Sequence, residues 1–202
     1  MTRIIAGEWR GRRIAVPPSG TRPTTDRVRE AMFSSLTSLL VSEDKSWDQC
    51  AVVDLYSGSG ALGLEAASRG AADVVLVESS RSAVGVIRGN VASLNATSLN
   101  ATHLRIAAQD VRAWAKSSGG APRNLILADP PYTVTDTDLV ELWEVATRHH
   151  GIAPNALIAI ERPASSQDPL GRFWELVDQR RYGDTHVWYG QLHENAGVPR
   201  LI

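Results

Sequence analysis

The stretch that most limits what this chain can fold into runs from Ala51 to Gly70, AVVDLYSGSGALGLEAASRG. Ala51 to Tyr56 is a short apolar run bounded by glycine, the pattern of a buried parallel strand. Ser57 to Gly60 reads as a tight turn, and Ala61 to Arg69 as a helix stopped by Gly70. Within the turn, Gly58-x-Gly60-x-x-Gly63 lets backbone N–H groups at a helix start approach a ligand closely. Asp54 lies inside the strand, ahead of those glycines. A carboxylate there repels a pyrophosphate and suits a ligand carrying positive charge, such as the ammonium of an amino acid.

The remainder alternates strands and helices. Residues 3–16 read as two short strands around a turn at Glu8–Gly11, and Thr24-Thr25-Asp26 offers caps for a helix from Arg27 to Val41. Strands are predicted over Asp73–Glu78, His103–Ala107, Arg123–Asp129 and Ala156–Glu161, with helices over Arg81–Leu94, Val111–Lys116 and Asp136–His149. Trp174–Tyr182 and His186–Leu192, joined across Gly183-Asp184, read as a closing antiparallel hairpin. Such alternation predicts an α/β fold with a parallel sheet covered on both faces. With 202 residues, 43% of them apolar, the chain has the material for an ordinary core. A basic extension over residues 1–42 and a main domain over residues 43–202 are the expected division.

Net charge is −1, which argues against indiscriminate coating of nucleic acid, but its distribution is uneven. Residues 1–29 carry seven arginines against Glu8 and Asp26, a net of +5, so the rest carries −6. A basic head on an acidic body suggests a local polyanion site. The single cysteine, Cys50, excludes an internal disulfide and a cysteine-rich zinc site, and no histidine has a ligand partner at metal spacing, so no metal is expected. No apolar run reaches membrane-spanning length and no leader is evident, so a cytoplasmic monomer without membrane contact is expected.

Asp54, Glu78 and Asp110 fall at successive strand ends, where open α/β sheets bind their ligands. Glu78 can accept from both hydroxyls of a ribose; Asp110 can accept from an adenine amino group, with the Val111 N–H near the ring. Acid first and glycine turn second is the order of S-adenosylmethionine (SAM) sites rather than nicotinamide sites. Asp129-Pro130-Pro131-Tyr132 ends the fourth predicted strand. Two prolines fix the chain there, so the Asp129 carboxylate and the Pro130 carbonyl can meet the two hydrogens of an exocyclic NH₂. Tyr132 would stack on the base. Cys50 stands before the first strand of the sheet, away from the place a cytosine C5-methylating cysteine needs.

These residues resemble the RsmD-type methyltransferases, which modify the exocyclic N2 of a guanine in bacterial 16S ribosomal RNA. Arg3-Ile4-Ile5, Trp9-Arg10-Gly11-Arg12, the run from Arg22 to Glu30, Gly58 to Ala66, Ser68-Arg69-Gly70 and Asp129 to Tyr132 carry the resemblance. It implies a class I SAM-dependent methyltransferase: Rossmann-like, with a seven-stranded sheet closed by the hairpin, plus the N-terminal extension. It implies SAM contacts at Asp54, Gly58, Gly60, Glu78 and Asp110. Tyr56, Ser57, Ser79, Val111 and Asp129 complete that set, and the Thr25 region is expected to close over the cofactor. Asp129, Pro130, Pro131 and Tyr132 are the catalytic candidates. The RNA candidates are Arg3, Trp9, Arg10, Arg12, Arg13, Arg22, Arg27 and Arg29, with the small ribosomal subunit as partner. A DNA amino-methyltransferase, a nicotinamide oxidoreductase and a non-catalytic, SAM-binding RNA assembly factor are the competing readings.

Overall fold

The computed structural model describes residues 1–18, 25–95, 102–117 and 120–193. One seven-stranded sheet has the order β5-β4-β3-β6-β7-β9-β8. Its parallel part comprises β3 (Ala51–Leu55), β4 (Asp73–Val77), β5 (His103–Ala107), β6 (Arg123–Ala128) and β7 (Ile152–Pro163). The hairpin of β8 (Trp174–Tyr182) and β9 (Thr185–Leu192) adds two antiparallel strands at the β7 edge. From β3 the chain steps outward to β4 and β5, then returns to lay β6 on the other side of β3. The strand order reverses around β3, which opens a crevice beyond the carboxyl ends of β3 and β6.

Successive strand residues face opposite sides, so each parallel strand feeds two cores. Val52, Val74, Leu76, Leu125 and Leu127 pack on the side of α1 (Asp26–Ser42), α2 (Ala61–Ser68) and α3 (Arg81–Leu94). Val53, Val75, Val77, Ile126 and Ile158 pack on the side of α4 (Val111–Lys116) and α5 (Asp136–Arg148), where Trp143 is fully buried. The helices begin where the sequence supplies caps: Thr25, Ser80, Asp110 and Thr135 each accept a backbone N–H of the first turn. By contrast, α2 follows Gly60 at φ +79° with no cap from its own N-cap residue, and the Gly63 N–H in its first turn is taken up by Asp54 from β3.

Two regions differ from the sequence expectation. The N-terminal arms form strands only over β1 (Thr2–Arg3) and β2 (Arg13–Ile14); Ile4 N still donates to Arg12 O and Gly11 N to Ile4 O, while other backbone groups bond the main sheet's helices. Ile5 N and Ala6 N donate to the fully buried Glu65, Trp9 N to Ser68 Oγ, and Ala15 N to Asn90 Oδ1. Ile4, Trp9 and Ile14 thereby join the α1–α3 core. β7 also starts earlier than predicted, at Ile152. A register shift against β6 accommodates Asn155 at φ +55°. No helix among the described residues is long and apolar enough to cross a membrane.

Candidate active site

The crevice is built around Asp54. Its side chain is 1% exposed, and Oδ2 accepts from Gly63 N at 2.9 Å. Burial pushes the carboxyl up to about 8; the Gly63 N–H opposes this, while the charges of Asp129 and Glu78 add to it. Those two acids are therefore close neighbours, as the strand ends predict. Glu78 ties the turn to β4: Oε2 accepts from Gly58 N at 2.9 Å and Oε1 from Ser80 N at 2.8 Å. Ser57 Oγ donates to Asp54 O at 2.7 Å. A Cβ on Gly63 would collide with the Leu76 side chain and stand 3.2 Å from Asp54 Oδ2, so only glycine lets α2 sit this close. Tyr56 takes φ +59°, and burial, then the charge of Asp110, pushes its hydroxyl up to about 12.

A cavity of about 50 Å³ lies over this turn, lined by Asp54, Tyr56, Ser57, Gly58 and Asp129, and on its outer side by Val16, Pro17 and Arg29. A buried carboxyl with acidic neighbours, beside the positive end of α2, fits the ammonium and carboxylate of an amino acid end. Glu78, Ser79, Asp110 and Val111 stand outside the enclosed part, at the ends of β4 and β5, where a ribose and base would extend. The donor set therefore fits SAM. Asp110 has a second duty as the cap of α4, accepting from Arg112 N at 2.8 Å. Thr25 lies elsewhere: it caps α1 and lines a different cavity, and the segment covering the glycine turn is Val16–Pro17.

Asp129 follows the last residue of β6, with Pro130 buried and Tyr132 70% exposed. Val134 N donates to Pro131 O at 2.9 Å, which closes a turn after the prolines. The buried Arg162 holds that turn from β7: Nη2 donates to Val134 O at 2.7 Å and pairs with Asp136. Burial works against the Asp136 charge, yet Gln167 N–H, the Ser166 hydroxyl and Arg162 keep its carboxyl below the usual range. Sequence reading had no signal for this support, since Arg162 and Ser166 sit about 30 residues downstream. Tyr132 opens onto a second cavity, about 410 Å³, bordered by α1 and the β8–β9 turn.

The basic head divides. Trp9 is 2% exposed and packs in the core, so it is not a surface for RNA; an indole flanked by arginines in sequence is here the anchor of the hairpin. Arg29 is 1% exposed and likewise unavailable: it bonds Thr2 Oγ1, Arg3 O and Asp26. Arg12 donates to Leu94 O at 3.0 Å and to Ser93 O, capping the end of α3. Arg3 pairs with Asp26 at 3.1 Å. Arg10, Arg13 and Arg27 are exposed and form no ion pair among the described residues. Arg22 lies outside those residues. Cys50 is buried, its thiol pushed up to about 11 by burial.

A sheet of this order, with an acid before the glycine turn at its switch point, is the class I SAM-dependent methyltransferase fold. The same architecture occurs in an RNA methyltransferase of Salinibacter ruber solved with S-adenosyl-L-homocysteine (17% identity, TM-score 0.61, covering 85% of this chain and 94% of that one). Within that class the chain belongs to the family described as Conserved hypothetical protein 95, whose model matches residues 2–191. It is 42% identical over 134 residues to the Escherichia coli K12 protein named Ribosomal RNA small subunit methyltransferase D, covering 64% of this chain and 60% of that protein. The like-named Haemophilus influenzae protein is 30% identical over 183 residues, covering 90% and 89%. The solved structure of yhhF from Escherichia coli superposes with TM-score 0.73 at 33% identity, covering 95% of this chain and 97% of that chain.

Proposed function

We propose that this chain transfers a methyl group from SAM to the exocyclic N2 amino group of a guanine in 16S ribosomal RNA. The observation that carries this reading is that Asp129 borders the same cavity as Asp54 and Gly58. The names of the relatives support the RNA and the subunit. When bound, SAM supplies an electrophilic methyl group. Asp54 and the start of α2 hold its amino acid end, and Glu78 holds the ribose. The Asp129 carboxylate and the Pro130 carbonyl each accept one hydrogen of the amino group. This grip weakens delocalisation of the nitrogen lone pair into the ring and aims it at the donor. The methylated nitrogen is strongly acidic, so Asp129 or water takes the proton without a strong base. Tyr132 stacks on the base, which must leave any helix to enter. Residues 1–42 form the extension that covers the cofactor and meets RNA through Arg10, Arg13 and Arg27. The partner is the small ribosomal subunit, the protein acts as a monomer, and its compartment is the cytoplasm. Tritium transfer from labelled SAM to small subunits lacking the modification, followed by nucleoside analysis, tests it. Labelled N2-methylguanosine is expected; label in any other nucleoside overturns the assignment.

A further inference from the structure

Fewer arginines of the head face solvent than the sequence implies, and one that does, Arg27, opens onto a cavity it shares with a distant part of the chain. Arg27, from the start of α1, and Arg181, from the β8–β9 hairpin, both line the 410 Å³ cavity beside Tyr132. Arg181 Nε donates to Gly183 O at 3.0 Å, so the turn itself sets the guanidinium's position. The exposed ring of Tyr132 and the half-buried ring of Tyr182 also line it, together with two carboxylates, Glu161 from β7 and Asp184 from the β8–β9 turn. A cavity of this volume is within the range that takes a small organic molecule. Two guanidinium groups and two aromatic rings are the chemistry that holds an unpaired nucleotide. The carboxylates add a restriction: each repels phosphate, so the phosphates must lie towards the arginines and the group meeting Glu161 must be a hydrogen-bond donor on the base.

We propose that this cavity seats the everted target nucleoside, that Arg27 and Arg181 hold the phosphates flanking it, and that Glu161 selects guanine. This rests on the methyl-transfer reading above and adds a residue that sets specificity and a second RNA-contacting wall. Guanine carries N1–H and the N2 amino group side by side. With Asp129 and Pro130 occupied by the amino hydrogens, Glu161 accepts N1–H. Adenine offers an acceptor at N1, which a carboxylate repels, and a site built around a donor rejects a base lacking it strongly. The RNA surface is therefore two-sided, with the C-terminal hairpin opposing the N-terminal extension.

Three variants test this with tritium transfer to unmodified small subunits: Arg181→Ala, Glu161→Gln, and Arg88→Ala as an exposed control on α3. Arg181→Ala should lower kcat/KM about fivefold or more at low salt and reduce the log–log salt slope by about 1. Arg88→Ala should match wild type. Glu161→Gln is read on subunits whose RNA carries 2,6-diaminopurine at the labelled position, which keeps the 2-amino group but presents an acceptor at N1. Wild type should prefer guanine by about 100-fold or more, and Glu161→Gln, whose amide can donate to N1, should narrow that preference at least about tenfold. A lost fold would lower both rates together and leave the preference unmoved. Should Arg181→Ala behave like Arg88→Ala, or Glu161→Gln keep the wild-type preference, the cavity is not the nucleoside seat, while methyl transfer by wild type still stands. A wild type that labels neither RNA overturns both readings.

Discussion

If Asp54 holds the ammonium of SAM, cofactor binding should release a proton. Its carboxyl is held at about 8 by burial, with Asp129 and Glu78 adding to the shift. At pH 7 a group with that value is only about one-tenth ionised. A ligand whose ammonium sits against Asp54 needs the carboxylate, so binding expels about 0.9 proton at pH 7. Between pH 6 and pH 7 the dissociation constant should therefore fall about tenfold, equivalent to about 1.4 kcal/mol. The ligand's own amino group stays charged in that window, so the slope reports the protein. The assay is calorimetric titration with SAM or S-adenosylhomocysteine in two buffers of different ionisation heat, repeated across pH. Asp54→Asn should bind more weakly and without pH dependence over the same window. Without ligand the sign is opposite. A folded value raised above the unfolded one stabilises at low pH, and that contribution is lost as pH rises from about 4 towards 8. The melting temperature of Asp54→Asn, relative to wild type, should accordingly be higher at pH 8 than at pH 5. Wild-type affinity that is flat from pH 6 to pH 7, with no proton released, would refute the role given to Asp54.

Glu65→Ala should cost about 3–5 kcal/mol in urea unfolding, because it removes the buried acceptor of the half-buried Ile5 and Ala6 N–H groups and unpairs Arg69. Gly63→Ala should abolish SAM binding in the same titration, since its methyl group would press into Leu76 and Asp54; wild-type affinity would mean α2 can yield. Arg10→Ala with Arg13→Ala should flatten the salt dependence of subunit binding by about two slope units at unchanged SAM affinity, whereas Trp9→Phe should lower stability without touching that slope.

The elements with chemistry in their own letters were legible. The start of α1 follows from the cap at Thr25, and the glycine turn dictates the β3–α2 connection. The cluster of Asp54, Glu78 and Asp129 was legible too, because parallel strands of similar length place their carboxyl ends together. What was hidden depends on tertiary partners, as far as 82 residues away for Arg12. Arg29 and Trp9 look like RNA contacts until Thr2, Asp26 and the α1–α3 core take them up. Arg12 looks the same until the end of α3 claims it. Nothing local to Ile5 or Ala6 shows that Glu65 replaces a neighbouring strand as their acceptor. Thr25, expected near the cofactor, caps α1 and lines the other cavity, while Val16 and Pro17 line the one over the glycine turn.

The most direct test compares wild type with Asp129→Ala in two measurements on the same preparations: SAM affinity by calorimetry and tritium transfer to unmodified small subunits. The account predicts that the variant still binds SAM, within about tenfold of wild type, while label in N2-methylguanosine disappears. Methyl transfer that survives the loss of Asp129 would contradict it.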